Sequence, residues 1–213
     1  MSLTLWYHPF ASFCMKALIA LYECDAAFTP IVVDLGDEDS RNAFYALWPI
    51  GKFPVIRDET TGEMVPESTI IIDYLADRFP AAGLIPADPR AAREVRMWDR
   101  FFDNYVHLQM QKIVADRLRP KPDRDPYGVA EARAQLHRAY DIFEKRLAGR
   151  QWASGDFSLA DCAAAPALYY AWKVEPWADR PALTAYLDRL HARPSFARVL
   201  AEAEPYAHFF PQE

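Results

Sequence analysis

The chain has 213 residues, of which 52% are apolar and 25% are charged, and its formal net charge at pH 7 is -6. This composition is typical of a globular protein with a sizeable core, and it excludes a largely disordered chain. The acidic balance argues against nucleic acid as a main partner, because phosphate binding requires clustered Lys and Arg.

The first eighty residues alternate between strand and helix patterns. The pattern begins with a strand over residues 3–7 and continues with a helix over residues 12–23, in which Cys14, Leu18 and Leu21 fall on one face. The later predicted elements are a strand at 28–33, a helix at 37–47, a strand hairpin at 54–58 and 63–65, and a helix at 67–79. This order predicts an α/β domain over residues 1–80.

The rest of the chain shows no strand pattern. Residues 81–89 are rich in Pro and Ala and are predicted to be an interdomain linker. The predicted helices of an all-α domain over 90–213 are 91–108, 129–147, 158–172, 181–192 and 195–203, with a proline-rich loop at 119–126. The third of these helices, 158–172, is apolar nearly all round and is expected to be central. The apolar tail Phe209-Phe210-Pro211 is expected to pack back on the body.

The cysteines and the hydropathy indicate a compartment. Cys14, Cys24 and Cys162 are odd in number and widely spaced, which argues against a disulfide framework. The chain shows no signal peptide pattern at its start, and no apolar run reaches the roughly 18 residues of a membrane span. We therefore expect a cytoplasmic protein with reduced thiols and no membrane partner. No His/Cys cluster has metal spacing, so we expect no metal.

The turn between the first strand and the first helix is the first candidate site. It reads His8-Pro9-Phe10-Ala11-Ser12-Phe13-Cys14. A helix N-terminus presents free N–H groups and a partial positive charge, which favours an anion such as a thiolate. Ser12 can either cap the helix or donate its hydroxyl to a bound thiolate.

Two further turns carry polar groups at element starts. Pro54 opens a strand, and a cis Phe53-Pro54 bond would turn the Phe53 backbone outward to pair with a peptide, with Lys52 beside it for a carboxylate. Glu67 and Ser68 begin a helix, where a hydroxyl and free N–H groups suit a carboxylate and an acid suits an ammonium. Together these groups suit an amino-acid ligand.

In this order and spacing, the three turns give the chain a resemblance to the cytosolic glutathione transferase superfamily over essentially its full length. The segments that carry the resemblance are residues 5–21, 49–55, 66–75 and 157–168. The last contains Ser158 and Asp161, which resemble the capping motif of the family's central helix. The turn at residues 8–14 is loosely similar to the Ser-Ser-Cys run of the zeta class. The resemblance implies a thioredoxin-like domain followed by an all-helical domain.

The resemblance also implies which residues hold glutathione, the expected co-substrate. Glu67 and Ser68 would bind its γ-glutamyl end, the backbone of Phe53 beside Pro54 its cysteinyl part, and Lys52 its glycine carboxylate.

A second, hydrophobic electrophile would lie in an apolar cleft between the domains, with Tyr7, Phe10, Tyr105 and Met110 as its walls. Members of the family usually dimerise through the region of residues 91–108, so the resemblance implies a homodimer.

Two questions stay open at this point. Counting back from the first helix places Ala11 at the catalytic position, whereas counting forward from Pro9 places Ser12 there; we choose Ser12 because Ala11 has no hydroxyl. The function is predicted to be glutathione conjugation, or a related isomerisation or dehalogenation. The alternatives are a non-catalytic ligand- or protein-binding member of the fold, and a glutathione-dependent thiol reductase that uses Cys14.

Overall fold

A four-stranded sheet organises the first part of the chain in the computed structural model, which describes residues 2–212. The strands lie in the order β2-β1-β3-β4, with β1 parallel to β2 and antiparallel to β3. Their bounds are β1 Leu3–Tyr7, β2 Phe28–Val32, β3 Val55–Asp58 and β4 Met64–Pro66. The accompanying helices are α1 Ser12–Glu23, α2 Glu38–Leu47 and α3 Ser68–Arg78.

The two faces of the sheet are covered by different helices. Leu3 and Leu5 of β1 share a core with the buried side chains of α1 and α3. Trp6, the intervening residue, packs instead with Phe44 of α2. This alternation follows from the two-residue period of a strand. It makes the first domain a sheet between helices, as the α/β prediction stated.

The second part of the chain consists of helices joined by loops and turns, with no strand among the residues that the structure describes. Its helices are α4 Pro89–Phe101, α5 Leu108–Arg117, α6 Pro126–Arg146, α7 Leu159–Val174, α8 Pro181–His191 and α9 Pro194–Ala203. Short 3-10 turns occupy Pro80–Ala82, Lys121–Asp123 and Glu204–Phe209. A π-helical segment, Phe102–His107, joins α4 to α5.

Helix α7 is the centre of this domain, as its apolar sequence predicted. Nearly every residue of α7 is buried, and the helix packs against α1, α4, α5 and α8. Its capping box is present: the Asp161 carboxylate accepts the Ser158 N–H at 3.0 Å. Asp161 also accepts the N–H of Ala153 and the hydroxyl of Tyr186, at 2.9 and 2.6 Å. A single buried carboxylate therefore joins the start of α7 to the preceding loop and to α8.

The long helix predicted at 91–108 differs in the structure. It starts at Pro89 and, through the π-helical segment, continues to Arg117 without a break in helical structure. Leu108 is the last of the apolar positions that defined the predicted helix, but no Pro or Gly follows until Pro120. Good helix formers such as Gln, Lys and Ala carry the helix onward.

Candidate functional site

A cleft of about 640 Å³ lies where the sheet domain meets α5, α7 and the C-terminal tail. This volume is within the usual range for a small-molecule site. The cleft brings together eight of the residues that the sequence analysis proposed for binding or catalysis. They are Phe10, Ser12, Lys52, Phe53, Pro54, Glu67, Ser68 and Met110.

The start of α1 forms the floor of the cleft. Ala11, and not Ser12, is the N-cap residue of α1, and it makes no side-chain hydrogen bond to the helix. Because they lie in the first turn, the N–H groups of Ser12, Phe13 and Cys14 have no intrahelical carbonyl as acceptor. Ala11 and Ser12 both line the cleft, and of the two only Ser12 carries a hydroxyl. The geometry therefore places one hydroxyl beside an N-terminus that favours negative charge.

The Ser12 hydroxyl has a partner from the second domain. Its Oγ lies 3.1 Å from Nδ1 of His107, which is the last residue of the π-helical segment. His107 is 7% exposed and also lines the cleft. Burial, with a smaller effect of the Lys16 charge, lowers the pKa of His107 to about 4. The imidazole is therefore neutral at physiological pH, and no sequence signal had singled it out.

The turn before β3 supplies a second wall. The Phe53-Pro54 bond is cis, as the sequence analysis considered. Gly51 has a φ of 67°, and a Cβ there would lie 1.9 Å from the Tyr45 ring. Only glycine fits at this position. Lys52 is exposed at the rim, where its ammonium is accessible to an anion.

The start of α3 is the third wall. Ser68 is the first residue of the helix, is 4% exposed and lines the cleft. The N–H groups of this first turn have no intrahelical carbonyl as acceptor. Glu67 is the N-cap residue, with φ 69° and ψ 120°. A non-glycine side chain in this region of backbone space is strained, and such strain is typical of functional sites.

Part of the cleft wall is apolar and contains Phe10, Met110, Tyr170 and Phe210, and we call this part the apolar end of the cleft. Phe10 and Met110 lie there, as predicted, with aromatic residues that the sequence analysis had not assigned to a site. Phe210 stacks on Tyr170 with ring centroids 5.8 Å apart, and the Tyr170 hydroxyl donates to the Phe10 carbonyl at 2.7 Å. The tail thus packs back, as expected, and adds Phe209 and Pro211 to the wall.

Two predicted wall residues, Tyr7 and Tyr105, lie elsewhere. The side chain of Tyr7 lies on the α1 side of the sheet and lines a separate hollow with Tyr22 and Phe28. Tyr105 lies in the π-helical segment, is 56% exposed and contacts Phe101. These assignments were wrong because strand and helix periodicity set the direction of a side chain, and neither direction points into the cleft.

Cys14 is enclosed in the core and does not line the cleft. It is fully buried, its sulfur accepts the His8 N–H at 3.5 Å, and burial raises the pKa of its thiol far above the ordinary value. Buried thiols with a raised pKa are poor nucleophiles. Cys24 and Cys162 are also buried free thiols. The structure therefore gives no support to the reductase alternative.

The structure bears on two further expectations. Within residues 2–212, no three His, Cys, Asp or Glu side chains are grouped so that they could hold a metal ion. None of the helices described over the same residues has the length and hydropathy required to cross a membrane.

Comparison with family models gives two matches. Residues 5–83 match the model described as glutathione S-transferase, N-terminal domain, and residues 126–189 match the corresponding C-terminal domain. The two matches fall on the sheet domain and on the helical domain in the predicted order.

The individual proteins that this chain resembles carry the same family name as the two family models. Glutathione S-transferase 3 from Zea mays is 32% identical over 213 residues, which is 93% of each chain. The glutathione S-transferase-like protein LUC7 from Fusarium sp is 36% identical over 131 residues, and this chain spans 59% of its length. A solved glutathione S-transferase from Methylobacillus flagellatus KT, with glutathione bound, is 27% identical with a TM-score of 0.83. That match covers 92% of this chain and 98% of the other.

Proposed function

The chain belongs to the glutathione S-transferase family, and from this premise we propose that it is a glutathione transferase in which Ser12 stabilises the thiolate of bound glutathione. The thiolate attacks a small apolar electrophile, by conjugation or by a related isomerisation or dehalogenation. Glutathione is the co-substrate in this proposal, and the active form is a homodimer.

The observation that carries the proposal is the shared cleft. Three turns that suit the three parts of glutathione open on one cleft, and Ser12 lies among them at the N-terminus of α1. Glu67 and Ser68 suit the γ-glutamyl end, the Phe53 backbone suits the cysteinyl part, and Lys52 suits the glycine carboxylate. In this arrangement the sulfur lies near Ser12 and faces the apolar end of the cleft.

The energy that this chemistry requires is modest. A free thiol has a pKa of about 8.5. Lowering this pKa by about two pH units requires that the site stabilise the thiolate over the thiol by roughly 2.7 kcal/mol. A hydrogen bond to a charged group contributes about 1.5–3 kcal/mol, and a helix N-terminus contributes about 0.3–1 kcal/mol. The Ser12 hydroxyl and the start of α1 can therefore together supply the free energy that this lowering of the pKa requires.

The apolar end of the cleft indicates the second substrate. Phe10, Met110, Tyr170 and Phe210 surround a volume that favours an aromatic or aliphatic electrophile over a charged one. Bound there, the electrophile would be held next to the sulfur, which converts a bimolecular reaction into one within a complex.

The test is to measure glutathione binding and turnover of an activated aryl halide. We expect Ser12→Ala to lower kcat by about 10- to 100-fold, the size of one hydrogen bond to a charged atom, with little change in glutathione Kd. Ser40→Ala is the matched control, because Ser40 lies in the first turn of α2 and outside the cleft.

Each outcome distinguishes the alternatives. No glutathione binding by the wild-type protein would favour a protein that binds another ligand or a protein partner. Binding with no turnover on a panel of electrophiles would favour a non-catalytic carrier. Unchanged kcat in Ser12→Ala would remove Ser12 from the mechanism, whereas complete loss in Cys14→Ser with Ser12 intact would revive the reductase alternative.

A further inference from the structure

Helix α1 and the π-helical segment are joined by two side-chain pairs with the same spacing. Ser12 and Lys16 are four residues apart on α1, and Asp103 and His107 are four residues apart in the segment. Ser12 meets His107 at 3.1 Å, and the Lys16 ammonium meets the Asp103 carboxylate at 2.9 Å. The two pairs fix this part of the second domain against the helix that carries the candidate catalytic hydroxyl.

Of the two pairs, the ion pair between Lys16 and Asp103 is the more rigidly held. Lys16 is 1% exposed, and its ammonium also contacts Asp99 at 2.5 Å and the Thr69 hydroxyl at 2.8 Å. Arg100 contacts Asp103 from the solvent side. A buried cation with two carboxylates and a hydroxyl around it has little freedom to move, because breaking a buried pair is strongly destabilising. The segment is therefore held in one register on α1.

The π-helical geometry is part of this placement. The Leu108 N–H donates to the carbonyl of Asp103, five residues earlier, in place of the usual four. Wide turns of this kind inside α-helices occur frequently at functional sites. Here the segment ends at His107, directly opposite Ser12. The His107 ring also packs on the Phe13 ring, with the ring centroids 4.3 Å apart.

The number of hydrogen bonds that a serine hydroxyl can make limits the role of the Ser12–His107 pair. A serine hydroxyl has one proton to donate and two lone pairs that accept. If Ser12 donates to His107, no proton is left for a bound sulfur. If the His107 Nδ1–H donates to Ser12 Oγ, the serine proton is free to point at the sulfur, and donors in series strengthen one another.

We propose that His107 is a positioning residue, whose Nδ1–H donates to Ser12 Oγ and thereby directs the serine proton at the sulfur of bound glutathione. The inference rests on the proposed function, because it concerns the same sulfur. His107 acts through Ser12 in this arrangement and does not itself touch the sulfur.

A role as a general base is the competing interpretation. It would require His107 to accept a proton and hold an imidazolium. Burial and the nearby Lys16 charge lower the pKa of His107, so both oppose a second positive charge. Asp103 is the acid nearest in its own segment, and its carboxylate is already paired with Lys16. A neutral donor agrees with these surroundings, and an imidazolium does not.

The experiment compares His107→Phe and His107→Asn by titrating the ultraviolet absorbance of the thiolate in the glutathione complex. Phe keeps the ring contact with Phe13 and removes the donor, whereas Asn places an amide N–H near the Nδ1 position. We expect Phe to lower the acid dissociation constant of the bound thiol about three- to tenfold, with glutathione Kd unchanged. Asn should restore it to within about twofold.

Coupling to Ser12 decides between positioning and packing. In the Ser12→Ala background, His107→Phe should have no further effect on thiol acidity, because the residue through which it acts is gone. The same loss in both backgrounds, or no rescue by Asn, would overturn the proposal. His191→Phe is the control, since His191 is half-buried, stacks on Phe196 and lies away from the cleft.

The design also separates this proposal from the one on which it rests. If the wild-type complex shows no thiolate, the proposed function fails. If wild type forms a thiolate that Ser12→Ala weakens and His107→Phe does not, the function stands and the role of His107 fails.

Discussion

At the scale of single residues, Glu67 combines an unfavourable backbone with a side chain in the cleft. Its φ of 69° lies in a region that glycine adopts readily and other residues avoid. Strain of this kind costs of the order of 1–3 kcal/mol and persists where the surrounding structure holds it. The strained backbone of Glu67 therefore lowers the stability of the fold, but it places a carboxylate beside Ser68, where an ammonium of the ligand would bind.

Glu67→Gly should separate these two contributions. We expect the free energy of unfolding to rise by about 1 kcal/mol, because the strain is relieved and the greater flexibility of glycine in the unfolded chain offsets only part of the gain. Glutathione affinity should fall roughly tenfold, since a charged contact is lost. Chemical denaturation and calorimetric binding measure the two effects.

Asp25 provides the matched control for Glu67. It also has a positive φ, of 46°, but it is exposed and does not line the cleft. Asp25→Gly should leave glutathione binding unchanged. If Glu67→Gly binds glutathione as tightly as wild type does, Glu67 does not hold the γ-glutamyl end.

At the scale of elements, the start of α7 depends on one buried carboxylate. Asp161 accepts from two N–H groups and two hydroxyls, all in the interior. The capping box was recognisable in the sequence because both of its residues lie within one helical turn. The contacts with Ala153 and Tyr186 were not, because they depend on how the preceding loop and α8 pack.

Asp161→Ala should lower the free energy of unfolding by about 3 kcal/mol, because it removes the acceptor of four buried donors. The measurement is denaturant unfolding at neutral pH. Asp156→Ala, an exposed acid of the same loop, should change stability by less than about 0.5 kcal/mol. Equal effects of the two substitutions would contradict the assigned role of Asp161.

At the scale of the whole molecule, one continuous core crosses the boundary between the predicted domains. Leu5 and Leu18 of the sheet domain belong to the same cluster as Phe102 and Leu168 of the helical domain. The segment at 81–89 is also fixed, because the Leu84 carbonyl accepts the N–H of Leu159 at 2.9 Å. The cleft between the two domains is therefore a stable feature, with walls from both.

The outer surface of α3, α4 and the π-helical segment retains exposed apolar side chains. Ile70, Met97 and Tyr105 are each about half exposed, and the Arg96–Asp73 ion pair joins α3 to α4 beside them. Because such side chains gain from burial, we expect a second copy of the chain to cover this surface.

The expected mass in solution is twice the 24.4 kDa of the chain. Replacing Met97 and Tyr105 together by Glu should produce a monomer, because two charges would be buried in the interface. Sedimentation measures the mass. The control Tyr127→Glu changes a tyrosine that is 73% exposed on α6 and should leave the dimer intact. A wild-type monomer would contradict the prediction.

The sequence by itself determined the order of elements, the capping box of α7 and the three turns that carry polar groups at element starts, because these depend on neighbours within a few residues. The bounds of β1 and α1 agree with prediction to the residue. The tertiary structure alone decided which side chains meet across the cleft. Tyr7 and Tyr105 point away from it, whereas His107 lies against Ser12 although the two residues are 95 positions apart in the chain. Such a contact is set by the packing of α1 on the π-helical segment, and no local pattern encodes it.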